Sequence, residues 1–591
     1  MTPFEVSRLE FTAPAVRSWA LADERHTNWP VVYVLDSAAG LAARAGGAPQ
    51  VYVGESLNAA GRMRQHFESR EKKHLTTIRV VIDETFNKSV CLDLESFLIQ
   101  MFGGDGQYTV LNGNDGITNA NYFDRGRYRE TFLAVFEQLK NDGMFVRTVP
   151  EIENSDLFKL SPFKALTPDQ GAAVEDILEG LFEDLATGRE STTVVQGDPG
   201  TGKTIVAIYL LKLLKDIERA TDAEDFDSDS MFSEFFASGY RELLTGLRIG
   251  FVVPQQSLRK SIQRVFKKTP GLDPAMVMNA FDVGHSEGSW DLLIVDETHR
   301  LNQRANQSSG VRNKDFADIT AKLFGADDVS RTQVDWIRKK STHQIFLLDA
   351  AQSVRPADLP AAVVGDLVAS ATADHRYYPL ISQMRVNAGD DYVGYVRQLL
   401  AAGADNEPPA PRSFGDYDFR LFDHLGEMRD EIRRRDAESG LARLVAGFAW
   451  EWKTKRDKSA YDIELDGLSL RWNGTDTDWI ASPGSIDEVG SIHTVQGYDL
   501  NYAGVIIGPD LRFDPVSGHT VFDRGSYYDS KGKENNPVLG KKYTDDDLLV
   551  FITNIYAVLM TRGIRGTYVY VCDPALREHL RRFVPTAGGT G

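Results

Sequence analysis

The segment Gly197-Asp-Pro-Gly-Thr-Gly-Lys203-Thr204 constrains this 591-residue chain more than any other. It meets the pattern G-x-x-x-x-G-K-[S/T] at every fixed position, follows a β-rich run at 193–196 and precedes an apolar helical run at 205–214. Gly197, Gly200 and Gly202 let backbone N–H groups turn inward around phosphate oxygens, at the positive end of the following helix. Asp198, Pro199 and Thr201 complete the loop. Lys203 adds a point charge at the β/γ-phosphates, and Thr204 offers a hydroxyl to Mg²⁺. A second element supports the first: the apolar run 292–295 ends in two carboxylates, Asp296 and Glu297. One carboxylate holds the metal and its neighbour polarises the attacking water, so Asp296 is assigned to Mg²⁺ and Glu297 to the base. ATP and Mg²⁺ are the expected cofactors.

The surroundings fit that reading. From Leu166 onward, β-rich runs at 193–195, 249–253, 292–295 and 345–348 alternate with helical stretches, the pattern of an α/β fold with doubly wound parallel sheets. With 42% hydrophobic and 26% charged residues the chain is an ordinary globular one, not disordered or fibrous. No apolar run approaches the roughly 20 residues of a membrane helix. The first 20 residues lack the basic-then-apolar pattern of a secretory signal. Only Cys91 and Cys572 occur, so a disulfide framework and a cysteine zinc site are disfavoured and a cytoplasmic location is expected.

Further ordered motifs then appear. Between about residues 160 and 580 the chain resembles superfamily 1 helicase ATPases and, most closely, the Schlafen group 3-like helicases of bacteria. Leu166-Thr-Pro-Asp-Gln170 resembles the element whose glutamine reads adenine, and Val252-Val-Pro-Gln-Gln-Ser-Leu258 the strand and loop that touch the nucleic-acid strand. Asp296-Glu297-Thr-His299-Arg300 is similar to the family's D-E-x-H-R form. The resemblance gives Gln352 of Leu348-Asp-Ala-Ala-Gln352 and Arg385 of Ser382-Gln-Met-Arg385 contacts with the γ-phosphate. It makes Gly497 of His493-Thr-Val-Gln-Gly497 part of a link between nucleotide and nucleic-acid sites, and Arg562 of Tyr556-Ala-Val-Leu-Met-Thr-Arg562 the arginine finger, with Arg565 three residues on as an alternative. Asp499 stands where many members have Glu. The chain lacks room for the large accessory insertions of processive unwinding enzymes, so the resemblance implies ATP hydrolysis more strongly than processive unwinding.

The N-terminal part carries different chemistry. Tyr33 sits in an apolar run at 31–35, and Tyr52 in a second run that ends at Gly54; the Ala- and Gly-rich stretch between them suits a hairpin loop. A helix is predicted to start near Ser56 or Asn58. On it Asn58, Arg62 and His66 recur at i, i+4 and i+8 as a polar stripe, while Leu57, Ala60, Met63 and Phe67 form an apolar stripe. Glu95 lies in the apolar helical stretch 91–99, where a carboxylate costs several kcal/mol unless it is paired or binds a metal. Asn112 ends a short strand at 109–111. Two tyrosines, an arginine, a glutamate and a metal suffice to cut a phosphodiester: the cation neutralises the leaving oxygen, and the guanidinium forks onto phosphoryl oxygens. A tyrosine needs nearby positive charge to act as a base at neutral pH. Over residues 29–115 this arrangement resembles the GIY-YIG endonuclease domain. Val32-Tyr33-Val34 and Tyr52-Val53-Gly54 stand for its two signatures. Arg62, His66, Glu95 and Asn112 stand at its arginine, histidine, metal-binding glutamate and asparagine. The resemblance implies one-metal hydrolysis of DNA, with a tyrosine or its water as base and Mg²⁺, or alternatively Mn²⁺, at Glu95.

The expected organisation is an extension at 1–28, a small α+β GIY-YIG domain at 29–125, a helix and linker at 126–160, two RecA-like lobes at 161–380 and 381–585, and a disordered tail at 586–591. An acidic insertion is expected near 218–240. The net charge is -19, and residues 1–150 account for only 16 Lys+Arg against 18 Asp+Glu, so the acidity falls in the second part. Tyr122, Phe123, Arg125, Arg127, Tyr128 and Arg129 read equally as part of a DNA contact or as a solvated helix start. The expected function is an ATP-dependent DNA endonuclease of bacterial defence or repair, with RNA as a second possible partner and no membrane. The alternatives are an ATP-gated sensor that switches the nuclease without unwinding, and a nucleic-acid-binding ATPase with an inactive nuclease fold.

Overall fold

The computed structural model describes the chain apart from residues 1–3, 38–47, 70–71, 114–120, 221–231, 237–238, 305–306, 308, 350–353, 383–390, 401–408, 476–478, 496–498 and 588–591. Residues 221–231 and 237–238 of the acidic insertion expected near 218–240, and most of the tail, lie outside the described residues. The chain divides into two units: Met1–Thr187 with Thr204–Gly246 and Ser261–Met276, and Gly188–Lys203 with Leu247–Lys260 and Val277–Gly591.

The first unit contains a five-stranded sheet in the order β1-β4-β2-β3-β5, where β1 is Glu5–Glu10, β2 Val31–Asp36, β3 Gln50–Ser56, β4 Thr77–Ile82 and β5 Thr109–Val110. All pairs are antiparallel except β3 with β5. Residues 1–28 are therefore not a separate extension, because β1 is an edge strand of this sheet. Strand β2 is buried throughout, so both of its faces are covered and it reads as a continuous apolar run. Its alternation sorts the side chains. Val32 and Val34, with Val51 and Val53 of β3, pack against the helix Lys88–Asp105. Val31, Tyr33 and Leu35 face the other way, toward Ala59, Ala60 and Met63 of the helix Ala59–Glu68. Asn58 caps that helix, accepting the Gly61 N–H at 2.8 Å, so it stands just before the helix, close to the expected start, and not on its polar stripe. Leu57 precedes the first helical residue and is 54% exposed, so it drops out of the apolar stripe.

The expected linker is not a loose tether. Two short helices, Val149–Glu153 and Asp156–Lys159, lie within it, and Ile152 and Phe163 join the core built on the Lys88–Asp105 helix. The helix Arg125–Asn141 buries Phe132, Val135, Phe136 and Leu139, the predicted stripe. At its start, Arg125 Nε and Tyr122 Oη both bond Asp93, and Tyr128 Oη donates to Thr85 O. Those contacts make this stretch a helix start tied to the domain's own framework.

The second unit contains two parallel sheets. The first runs β11-β6-β10-β9-β7-β8, with β6 Ser191–Gly197, β7 Ile249–Val252, β8 Val277–Met278, β9 Trp290–Val295, β10 Ser341–Leu348 and β11 Tyr377–Leu380, all parallel. The second runs β12-β20-β17-β13-β16-β15-β14, with β12 Asp418–Phe422, β13 Ala442–Ala446, β14 Ile463–Leu465, β15 Leu468–Trp472, β16 Glu488–Ser491, β17 Leu500–Ile507 and β20 Gly563–Val571. Only the edge strand β14 is antiparallel. A hairpin, β18 Leu511–Asp514 with β19 His519–Phe522, follows β17. Leu292–Val295 and all of β17 are buried, as strands covered on both faces must be. The predicted α/β class and parallel sheets are what the strands form. Among the described residues no helix is long and apolar enough to cross a membrane.

Candidate active sites

Strands β6, β9 and β10 are neighbours and parallel, so the segments leaving their C-terminal ends converge, the usual place for a ligand on such a sheet. The phosphate loop leaves β6. Gly200 and Gly202 adopt φ of 92° and 77°, left-handed values that side chains disfavour, and a Cβ on Gly197 would sit 3.1 Å from Leu380 O. Lys203 Nζ donates to the loop carbonyls of Gly197 at 2.6 Å and Asp198 at 2.9 Å, and Thr201 Oγ1 donates to Asp198 O. Arg397, on the helix Asp391–Leu400, donates to Asp198 Oδ1 at 2.8 Å and lies 3.6 Å from the buried Asp349. No sequence pattern pairs the loop's aspartate with this arginine, because 199 residues separate them.

The carboxylates leave β9. Asp296 is fully buried and its Oδ1 accepts the Glu297 N–H at 2.9 Å. Glu297 has φ 47° and ψ 44°, a strained conformation for a side chain of this size. Its Oε2 lies 3.1 Å from His299 Nε2. The Asp349 N–H, at the end of β10, donates to His299 Nδ1 at 3.3 Å. Nδ1 must then be the bare nitrogen, and the ring hydrogen sits on Nε2, the nitrogen 3.1 Å from the Glu297 carboxylate. Burial alone would push the Glu297 carboxyl up. The adjacent His299 side chain and the charges of Lys203 and Arg300 outweigh it and hold the group well below the usual carboxylate range. Glu297 is thus ionised and aimed. The sequence motif names His299, but only the fold gives it this bridging role.

The other expected nucleotide residues are distributed as follows. Gln170 is buried near the start of the helix Pro168–Thr187, its Oε1 accepting the Thr167 N–H at 3.0 Å. Thr204 is the second residue of the helix Lys203–Arg219. Arg562 is 2% exposed and follows the helix Asp545–Met560, whereas Arg565 is exposed on β20. Gln352, Arg385 and Gly497 lie outside the described residues. The buried Asp296 is an oxygen donor of the hard type that Mg²⁺ takes, with water completing the shell.

The second site lies in the first unit. The β2–β3 register pairs Tyr33 with Gly54 and Leu35 with Tyr52, so the two tyrosines are diagonal neighbours on one face. Their ring centroids are 6.4 Å apart. Tyr33 lies directly over Gly54; a Cβ there would come within 2.5 Å of Tyr33 Cζ, so the glycine is a steric requirement. His66 turns inward from the Ala59–Glu68 helix, 2% exposed, with Nε2 2.8 Å from Tyr33 Oη and its ring 5.2 Å from that of Tyr52. Of the expected polar stripe, His66 alone is therefore interior. Burial, then the nearby Lys72 and Arg62 charges, push His66 down to about 3, so the imidazole is neutral. Burial raises the Tyr33 phenol well above its ordinary value, with Tyr52 and Glu95 acting in the same sense and Arg62 opposing. Lys72, 6% exposed, places its ammonium 3.9 Å from the Tyr52 ring centre. Neither the burial of Lys72 nor this contact is foreseeable from spacing. Glu95 is 8% exposed on the Lys88–Asp105 helix. Asn112 Oδ1 accepts the Val53 N–H at 3.0 Å and its Nδ2 donates to Val53 O at 2.8 Å. The amide side chain thus acts as a neighbouring strand for β3 just where β5 ends. Among the described residues no group of three or more His, Cys, Asp and Glu could hold a metal. A single buried carboxylate, Glu95, still fits an ion that keeps most of its waters.

The family model for the Schlafen group 3 DNA/RNA helicase domain matches residues 190–573. A Saccharomyces cerevisiae protein, uncharacterized protein YPL245W, is 27% identical over 467 residues, covering 73% of this chain and 94% of its own length. Among solved structures, the arterivirus nonstructural protein 10 helicase in complex with DNA is 12% identical and covers 68% of this chain, with a TM-score of 0.26; the chain spans 65% of that helicase. A DEAD box protein from Methanococcus jannaschii is 13% identical, covers 70% of this chain and 93% of its own, with a TM-score of 0.21. Both superpose poorly, and the architecture above rests on this chain's own strand order.

Proposed function

The chain belongs to the Schlafen group 3 DNA/RNA helicase family, and from that premise we propose that it is an ATP-dependent nuclease, in which a helicase-type ATPase governs a GIY-YIG-like endonuclease acting on DNA. In the ATPase, Gly197 to Thr204 bind the polyphosphate. Lys203 gives up its two loop carbonyls for phosphate oxygens, a charge-assisted exchange. Glu297, held ionised, accepts a proton from the attacking water, and Arg562 adds charge across the transferring phosphoryl group. Mg²⁺ held by Asp296 would supply neutralisation of the charge on the β- and γ-oxygens.

In the nuclease, the Tyr33 hydroxyl and the neutral His66 form a buried proton-transfer pair. With its hydrogen on Nδ1, His66 accepts at Nε2. Arg62 binds phosphoryl oxygens in a bidentate fork. A divalent ion at Glu95 would supply Lewis-acid polarisation of the scissile phosphate. The observation that carries this reading is the convergence of Tyr33, Tyr52 and His66 over Gly54, from three separate stretches of sequence, on one face of one sheet.

The test is incubation with supercoiled and linear DNA in Mg²⁺, with and without ATP. Glu95→Ala and Arg62→Ala should stop cleavage and spare DNA-stimulated ATP turnover, and Lys203→Ala should abolish turnover. Loss of both activities from either nuclease variant, with the protein still folded, would reject the two-site reading. A role in bacterial defence or repair is part of the proposal, motivated by the fusion of a motor and a nuclease in one chain.

A further inference from the structure

The helix Asp391–Leu400 belongs to the core of the second sheet. Its Tyr392, Val396 and Leu399 are buried in one cluster with Ile555 and Leu559 of the helix Asp545–Met560. The last carbonyls of a helix lack partners within it. Here Tyr392 Oη donates to Met560 O at 3.0 Å, and Thr567 Oγ1 of β20 donates to the same oxygen at 2.9 Å. Tyr392 is therefore bonded to the backbone two residues before Arg562.

The same helix carries Arg397, whose contacts lie with the first sheet. Its Nη1 donates to Asp198 Oδ1 at 2.8 Å, and its Nη2 lies 3.6 Å from Asp349 Oδ1. One guanidinium thus spans two carboxylates that follow neighbouring strands, Asp198 after β6 and Asp349 after β10. Asp349 is buried, and its N–H donates to His299, the ring beside the base Glu297. Pro199 of the phosphate loop, Arg397, Val558 and Thr561 line one small cavity, so the loop and the turn before Arg562 meet at this helix. Asp198 is half exposed, and a pair so open to water adds little to stability. What the fork supplies is geometry, since its two nitrogens fix two carboxylates at once.

We propose that Arg397 is a positioning residue for ATP hydrolysis. By bridging Asp198 and Asp349 it seats the helix Asp391–Leu400 on the phosphate loop, and Tyr392 passes that placement to the turn that ends in Arg562. The proposal rests on the ATPase reading above and assigns a residue that lies outside every motif carrying the helicase resemblance. Arg397 is held by carboxylates and acts through Arg562, so its loss leaves the phosphate-binding groups in place. A displacement of about 1 Å in a group that stabilises the transition state is enough to cost up to roughly 100-fold in rate.

The experiment uses the full chain with Mg²⁺. It follows phosphate release, together with binding of ADP and of ADP with aluminium fluoride, a mimic of the transferring phosphoryl group. Arg397→Gln should lower kcat at least about 10-fold, with KM for ATP within about two-fold of the parent. Affinity for ADP–aluminium fluoride should fall by a similar factor while affinity for ADP holds, because only transition-state geometry is lost. Arg397→Lys keeps the charge but offers one ammonium in place of the fork, so it should recover only part of the loss. Tyr392→Phe should show the same split between kcat and KM. Asp198→Asn combined with Arg397→Gln should be no slower than the slower of the two single variants, because the pair acts as a unit. Thermal unfolding checks that each variant is folded. Parental kcat and parental ADP–aluminium fluoride affinity in Arg397→Gln would overturn the proposal. An equal loss of ADP affinity would also overturn it, by making Arg397 a ground-state ligand, and parental behaviour of Tyr392→Phe would remove the route through Met560. A parent protein that binds ADP but releases no phosphate would instead reject the ATPase reading itself.

Discussion

Replacing His299 tests the coupling between the hydrolytic base and the end of β10. His299→Phe keeps the ring's volume in a site that is 2% exposed but removes both nitrogens. Two contacts disappear with them: the 3.1 Å approach of Nε2 to the Glu297 carboxylate, and the hydrogen bond from the Asp349 N–H to Nδ1 at 3.3 Å. A well-formed hydrogen bond to a buried ionised carboxylate contributes about 1.5–3 kcal/mol, which is the ceiling for this polar contact. Glu297 already sits in a strained left-handed conformation and has few means of staying aimed without that partner. If the whole contribution is spent on positioning, kcat falls by about 10- to 150-fold. KM for ATP should move little, because the phosphate-binding groups Lys203 and the loop N–H donors are untouched. Steady-state phosphate release at saturating single-stranded DNA reads this directly. A kcat within about two-fold of the parent would refute the claim that His299 holds the base. A rise in KM with unchanged kcat would move its role to ground-state binding.

Other outcomes test the first unit. Gly54→Ala should abolish cleavage and lower the stability of this unit by about 1–3 kcal/mol, measured by urea unfolding, since the new Cβ overlaps the Tyr33 ring. Asn112→Leu removes both bonds to Val53 and leaves a backbone N–H and C=O of β3 without partners; a loss of roughly 2–4 kcal/mol is expected, seen as faster amide exchange at Val53. His66 carries a pH signature. Its folded pKa, lowered to about 3 by burial, lies below the unfolded value near 6.5, so the unfolded chain binds the proton first. The stability that follows from keeping it neutral is complete above pH 6.5 and declines as pH falls toward 3, by about 2 kcal/mol between pH 7 and 5. Hydrogen exchange in the Ala59–Glu68 helix should show this destabilisation in the parent and lack it in His66→Gln; equal pH dependence in both would place the ring in water.

Much of the nucleotide site was legible in the sequence because its parts are local. A phosphate loop needs glycines at fixed offsets between a strand and a helix, and Gly200 and Gly202 take the left-handed φ that the pattern requires. The paired carboxylates likewise follow one buried strand. The nuclease-like cluster was legible only as candidates. Tyr33, Tyr52 and His66 each read as well for a core aromatic or a surface histidine, and the antiparallel register of β2 with β3 is what sets the tyrosines diagonally over Gly54. The stripe on the Ala59–Glu68 helix misplaced Leu57 because periodicity carries no information about where a helix begins, while its cap does. The region taken as a linker fails for a related reason: two short helices have too few turns to show a period, yet Ile152 and Phe163 find a core to join.

The sequence by itself determined the α/β class, the parallel strands and the phosphate loop, since strand burial and loop geometry are properties of short stretches of chain. The tertiary structure decided which polar groups meet: His299 between Glu297 and Asp349, Arg397 on Asp198, Lys72 on Tyr52, Asn112 on Val53. These pairs come from distant positions or different elements, and their strength depends on burial and on a register set by the whole sheet. Neither can be computed from one residue's neighbours along the chain.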